Sequence, residues 1–135
     1  MFKHVHHVHY IVRSREAMVE YLEKNFGMKP TRVIDLENGR MKDALYNLGQ
    51  TQLQITEPTD SASNMGKFLE KHGPGVYHVA WAVDDIRKVS KELSAKGNKM
   101  RGKDGITESP HGYLTSNIDT ANTHGIVIQL AEGPI

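Results

Sequence analysis

Apolar and polar residues alternate along residues 5–12. Val5, His7, His9 and Ile11 fall on one face of a strand, and His6, Val8, Tyr10 and Val12 on the other. Ser14 then stands where it can cap a helix whose apolar positions Met18, Tyr21, Leu22 and Phe26 recur at three- and four-residue steps, with Gly27 placed to end it. Strands are expected at residues 31–36, at roughly 41–48 after an Asn38-Gly39 turn, and at 51–56 after Gly49. Pro58 closes the run, so the first half reads βαβββ. Residues 59–75 form a linker with a short helix, its apolar positions Met65, Phe68 and Leu69 and its end marked by Gly73-Pro74-Gly75.

The second half repeats the order. A strand is expected at 77–83, then an Asp84 or Asp85 cap, then a helix with Ile86, Val89 and Leu93 inward that ends at Gly97. Further strands are expected near Lys99, at 113–118 and at 126–131. The wording repeats as well. His7-Val8-His9-Tyr10-Ile11-Val12 is echoed by His78-Val79-Ala80-Trp81-Ala82-Val83, and Leu53-Gln54-Ile55 by Ile128-Gln129-Leu130. The helix-closing glycines stand at nearly equal distances from the two opening histidines, which argues for one folding unit used twice. The modules are expected at about 4–58 and 76–133 of a single domain covering 1–135.

Alternation also assigns faces. Val79, Trp81 and Val83 take the apolar side of their strand, leaving His78 opposite with Ala80 and Ala82. Leu53 and Ile55 face the helix with Gln54 opposite, and Ile128 and Leu130 do so with Gln129 opposite. His7, Gln54, His78 and Gln129 are thereby expected to face one concavity.

Composition narrows the function classes. The chain of 135 residues has 38% hydrophobic and 24% charged residues, the profile of an ordinary globular domain. A net charge of +1 gives no field to recruit nucleic acid or an anionic membrane, so neither is expected as a partner. The local basic run Lys96, Lys99, Arg101 and Lys103 reads as solvated surface that could meet a phosphate. With no Cys there are no disulfides, thiolate ligands or Cys nucleophile, and no apolar run approaches the length of a membrane span, so a cytoplasmic protein is expected.

Imidazole nitrogens and amide oxygens suit a borderline divalent ion such as Mn, Fe, Co, Ni or Zn, and four such ligands leave positions for water or substrate oxygens. His9, on the face of His7, and His111, in the loop 105–112, are candidate acid/base groups. His4, His6, His72 and His124 lie off that face, near a terminus or in loops, and receive no role.

Several segments carry a family resemblance. They are His7-Val8, Asn47-Leu48-Gly49 before Thr51-Gln52-Leu53-Gln54, Lys67-Phe68-Leu69-Glu70-Lys71, the run from Tyr77 through His78 to Ile86, and the run from Gly125 to Leu130. From Val5 to Glu132 the chain resembles the vicinal oxygen chelate superfamily, and within it the methylmalonyl-CoA epimerase family. The resemblance implies an α+β fold in which paired βαβββ modules form an incomplete eight-stranded barrel around one divalent metal ion (Co, Mn, Ni, Zn or Fe). It implies metal ligands at His7, Gln54 and His78. At the fourth position, where the epimerases carry a Glu that is also an acid/base group, this chain has Gln129. The other acid/base position maps to Lys42 or Asp43; Asp43 is preferred because it can be a base at neutral pH and shares a strand face with Leu45 and Asn47.

The resemblance thus implies a metal-dependent epimerase, isomerase or lyase. It would act beside a carbonyl, through a metal-stabilised enolate, on a small molecule such as an acyl-CoA or 2-oxo compound. An amide cannot exchange a proton near neutral pH, so two readings stay open: a second acid from His9 or His111, or a one-base reaction of the glyoxalase I kind. A non-catalytic drug-binding protein of the same fold is a further alternative. A ring-cleaving dioxygenase is weaker, since Gln129 removes the carboxylate such iron sites use. The family also implies a homodimer.

Overall fold

A computed structural model describes residues 1–135, the side chain of Lys103 excepted. The expected basic run is therefore described only at Lys96, Lys99 and Arg101, with the Lys103 side chain outside the described residues. Among the described residues the chain forms eight strands and three α-helices, twice in the order strand, helix, three strands. They are β1 (Val5–Ile11), α1 (Arg15–Phe26), β2 (Arg32–Leu36), β3 (Met41–Leu48), β4 (Thr51–Pro58), α2 (Asn64–His72), β5 (Gly75–Ala82), α3 (Ile86–Ala95), β6 (Thr107–Glu108), β7 (Leu114–Asn117) and β8 (Ile128–Glu132). No helix among the described residues is long and apolar enough to cross a membrane.

The chain folds as two compact units, Val8–Tyr77 and Met1–His7 with His78–Ile135. In the first, the strand order is β2-β3-β4-β1. Ser14 caps α1, its hydroxyl accepting from the Ala17 amide at 3.1 Å, and Gly27 ends it with φ 65°. Leu22 packs with Met18 and Val19 against Ala44, Tyr46 and Ile55. Tyr21 and Phe26, expected to face inward, are instead 52% and 64% exposed and lie edge to face with each other. The inward stripe of α1 is narrower than the apolar pattern. Asn38-Gly39 forms a tight turn in which Glu37 and Asn38 both adopt positive φ, and it brings β2 and β3 into antiparallel register with Ile34 opposite Asp43. Arg15 ties these strands to α1 through Asp35 and the carbonyl oxygens of Ile34 and Asp43. Gly49-Gln50 turns β3 into β4, placing Asp43 opposite Thr56 and Leu45 opposite Gln54.

In the second unit the order is β1-β5-β8-β7-β6. β5 and β8 are parallel with Ala80 opposite Gln129, and β7 is antiparallel to β8 with Asn117 opposite Gln129. Asp85 caps α3, and Glu132 accepts from the Ile86 amide, so the end of β8 also holds the start of that helix. Leu130 joins Val83, Ile86 and Val89 on the helix side, whereas Ala131 joins Ala80 and Tyr113 on the other. The expected strand near Lys99 is reduced to an isolated bridge from Met100 to Ile118, and the regular pairing begins only at β6. The last strand starts at Ile128 rather than residue 126, because the turn through His124 and Gly125, both at positive φ, holds Ile126 in a hydrogen bond to Thr123.

Candidate functional site

In the unit containing β5, three of the four expected ligands meet. His7 and His78 are buried, and their Nε2 atoms lie 3.1 Å apart. Gln129 reaches both rings. Its Nε2 donates to Asn117 Oδ1 at 3.1 Å, and its effect on both imidazoles is to favour their protonated forms, so the amide presents its oxygen to them. Burial is the largest cause pushing His7 down from 6.5 to about 2; His78, His6 and His111 add like charge, and Gln129 opposes. His78 is pushed down to about 4, again by burial against the effect of Gln129. Both rings are therefore neutral at physiological pH, the state that ligates metal.

His6, which alternation had placed off this face, belongs to the cluster. It is 1% exposed, with Nδ1 2.9 Å from His7 Nδ1 and Nε2 2.9 Å from the Gly133 carbonyl oxygen. Tyr113 packs its ring against both His6 and His7, and His111 stacks on Tyr113 with centroids 6.5 Å apart. His111, half-buried, is thus brought to the edge of this group.

The other unit holds a second polar cluster. Asp43 is fully buried; its Oδ1 accepts from Thr56 Oγ1 at 2.6 Å and its Oδ2 from Gln54 Nε2 at 3.0 Å. His9 Nε2 lies 2.7 Å from the same Thr56 oxygen. The hydroxyl has one proton and gives it to the carboxylate, so His9 Nε2 must carry the hydrogen of that contact. A carboxylate only accepts, so Gln54 faces Asp43 with its NH2 group and keeps its amide oxygen for another partner. Both glutamines are thus anchored through nitrogen. Lys42, the competing reading for Asp43, is half-buried and 3.9 Å from Glu57, an arrangement of the surface.

Thr56, Asn117, Tyr113 and His6 were not singled out by sequence. Thr56 stands two residues beyond Gln54 on the same strand face, a signal that could have found it. For His6 the alternation pointed the wrong way.

A divalent ion fits the first cluster. Two neutral imidazole nitrogens 3.1 Å apart have the spacing of neighbouring ligands on one ion with bonds of about 2.0–2.1 Å. Among the described residues no three His, Cys, Asp or Glu side chains form a ligating group, so the donor set depends on glutamine oxygen and carries no negative charge.

Known proteins share the fold described above. A mouse mitochondrial methylmalonyl-CoA epimerase is 25% identical over 130 residues, covering 95% of this chain and 72% of that protein. An ethylmalonyl-CoA/methylmalonyl-CoA epimerase of Cereibacter sphaeroides is 21% identical over 133 residues, covering 98% and 99%. The crystal structure of methylmalonyl-CoA epimerase from Mycobacterium tuberculosis matches with a TM-score of 0.87 at 22% identity, over 99% of this chain and 90% of that one, which shows the vicinal oxygen chelate fold. The model of the Glyoxalase/Bleomycin resistance protein/Dioxygenase superfamily matches residues 6–114. The chain belongs to that superfamily.

Proposed function

We propose that this protein is a metal-dependent enzyme that moves a proton at the carbon beside a carbonyl, with an acyl-CoA of the methylmalonyl type as its substrate class. The observation that carries the reading is the buried pair His7 and His78, neutral and with Nε2 atoms 3.1 Å apart, backed by the Gln129 oxygen. The family resemblance, rather than a distance, adds Gln54 to the ligand set and makes Asp43 the base.

A divalent ion held there would act as a Lewis acid, drawing electron density from a carbonyl oxygen and acidifying the adjacent C–H. The remaining work falls to the protein. Thr56 and Gln54 hold the two oxygens of Asp43 in fixed directions, so the carboxylate is oriented before a proton arrives. Water is excluded around it. His9 Nε2 donates to Thr56 Oγ1 and so directs the hydroxyl hydrogen to the carboxylate. His111, beside the imidazole cluster, is the candidate second acid.

Gln129 favours a second reading on one point. It stands where the epimerases carry their second acid/base Glu, and an amide cannot exchange a proton, so a one-base shift of the glyoxalase I kind also suits these residues. Homodimerisation is part of the proposal, supported by the outer strands β2 and β6, whose open edges need cover.

The experiment is proton NMR of methylmalonyl-CoA and a panel of 2-oxo thioesters in D2O with Co2+-loaded protein. Deuterium entering C2 with formation of both C2 epimers supports epimerisation, and exchange with retention at C2 supports the one-base alternative. No exchange with any substrate under Co2+, Mn2+, Ni2+, Zn2+ or Fe2+ would leave a non-catalytic binding protein.

A further inference from the structure

We propose that His6 is a positioning residue that fixes the tautomer of His7, so that His7 Nε2 is presented as a lone pair toward His78 Nε2. The purpose of this device rests on the metal reading above. Its geometry does not.

The Gly133 carbonyl oxygen can only accept, so His6 Nε2, 2.9 Å away, carries a hydrogen. A neutral imidazole has one N–H, and His6 is buried at 1% exposure, which disfavours the charged form. His6 Nδ1 is therefore an acceptor. His7 Nδ1 lies 2.9 Å from it and must be the donor. His7, also neutral, is left with its lone pair on Nε2, and His78 Nε2, 3.1 Å away, donates to it. One backbone carbonyl at the end of β8 thus sets three imidazoles in sequence. Tyr113 locks the arrangement by packing on both the His6 and His7 rings.

An imidazole ligand ordinarily needs its second nitrogen held by a hydrogen-bond acceptor, and removing such a partner typically costs about 10–100-fold in metal affinity. Here a neutral histidine takes that place. It accepts the His7 Nδ1 hydrogen without adding charge to a donor set that has none.

The test uses two substitutions. His6→Asn keeps an acceptor oxygen near the place of His6 Nδ1; His6→Phe keeps an aromatic ring of similar bulk and removes the acceptor. In the metal-free wild-type protein, two-bond 1H–15N NMR should show His7 with a pyrrole-like Nδ1 and a pyridine-like Nε2. The Asn variant should keep that pattern, and the Phe variant should lose it. Calorimetric Co2+ titration should show affinity about 10–100-fold weaker for His6→Phe and largely retained for His6→Asn. A wild-type His7 with hydrogen on Nε2 overturns the proposal, as do equal Co2+ affinities for both variants and the wild type. If the wild type takes up no divalent ion, the metal reading fails, and the nitrogen spectrum still decides the assignment of His6.

Discussion

His7 Nε2 and His78 Nε2 approach to 3.1 Å in a setting where the groups that shift either ring are imidazoles and one amide. These two residues open the two βαβββ repeats. The duplication visible in the sequence thus ends in a direct contact between equivalent side chains, and that contact is where metal, pH and substitution should each leave a mark.

The pH dependence of the metal-free protein follows from the neutral state of the pair. The folded values, about 2 for His7 and about 4 for His78, lie below the ordinary 6.5. Below pH 6.5 the unfolded chain takes up protons that the folded chain refuses, so stability falls as pH is lowered, down to about pH 4 for His78 and further for His7. Above 6.5 both rings are neutral in both states and contribute no slope. Urea unfolding with chelator present should lose up to about 1.4 kcal/mol per pH unit for each group over that window. His78→Gln should flatten the slope, and an unchanged slope would contradict the assignment.

Gln129→Glu should raise divalent-ion affinity at least about tenfold, since a carboxylate adds charge to an otherwise neutral donor set. Asn117 must then turn its NH2 group toward the new carboxylate, because the present bond runs from Gln129 Nε2 to Asn117 Oδ1. Co2+ calorimetry reads the affinity, and the Asn117 side-chain amide resonances read the turn. If the site is as drawn, the same change should also favour epimerisation over one-base exchange.

Thr56 links Asp43 to His9, donating to one and accepting from the other. Thr56→Val removes both bonds at nearly constant volume and should cost about 1–3 kcal/mol of stability by chemical denaturation. The rate of deuterium exchange should fall with it. Thr56→Ser should restore both; a serine variant as impaired as the valine one would indicate a role for the methyl group instead.

Gly66 lies in the first turn of α2. A Cβ there would overlap the Asp60 carbonyl oxygen and stand 2.8 Å from Ser61 Cα, both backbone atoms that cannot swing aside. The Gly66 amide is also tied to the Ser63 cap at 3.0 Å. Gly66→Ala should therefore lower stability by about 1–3 kcal/mol, against the usual gain from alanine in a helix. Thermal unfolding of the purified variant checks it.

Much of this was readable from residue order. The Ser14, Ser63 and Asp85 caps announce their helices because a side-chain oxygen before an apolar run has one obvious use. Alternation placed His78 and Gln129 on the face opposite Leu130 because a strand offers only two sides. It failed at His6, where adjacent residues of β1 turn both rings to Tyr113. It failed again near Lys99, where glycines and positive-φ residues hold the chain out of a regular ladder. The hydrogen-bond partners Thr56 and Asn117 were hidden for a different reason. They matter through strand register, Asp43 opposite Thr56 and Asn117 opposite Gln129, and register across strands is set by the assembled sheet.

The most direct measurement is calorimetric titration of the chelator-treated protein with Co2+, beside His7→Ala and His78→Ala variants confirmed to be folded. The wild type should bind one ion per chain, with affinity lowered about a hundredfold in each variant. A wild type that binds no ion, or variants that bind as tightly as the wild type, would contradict the metal reading.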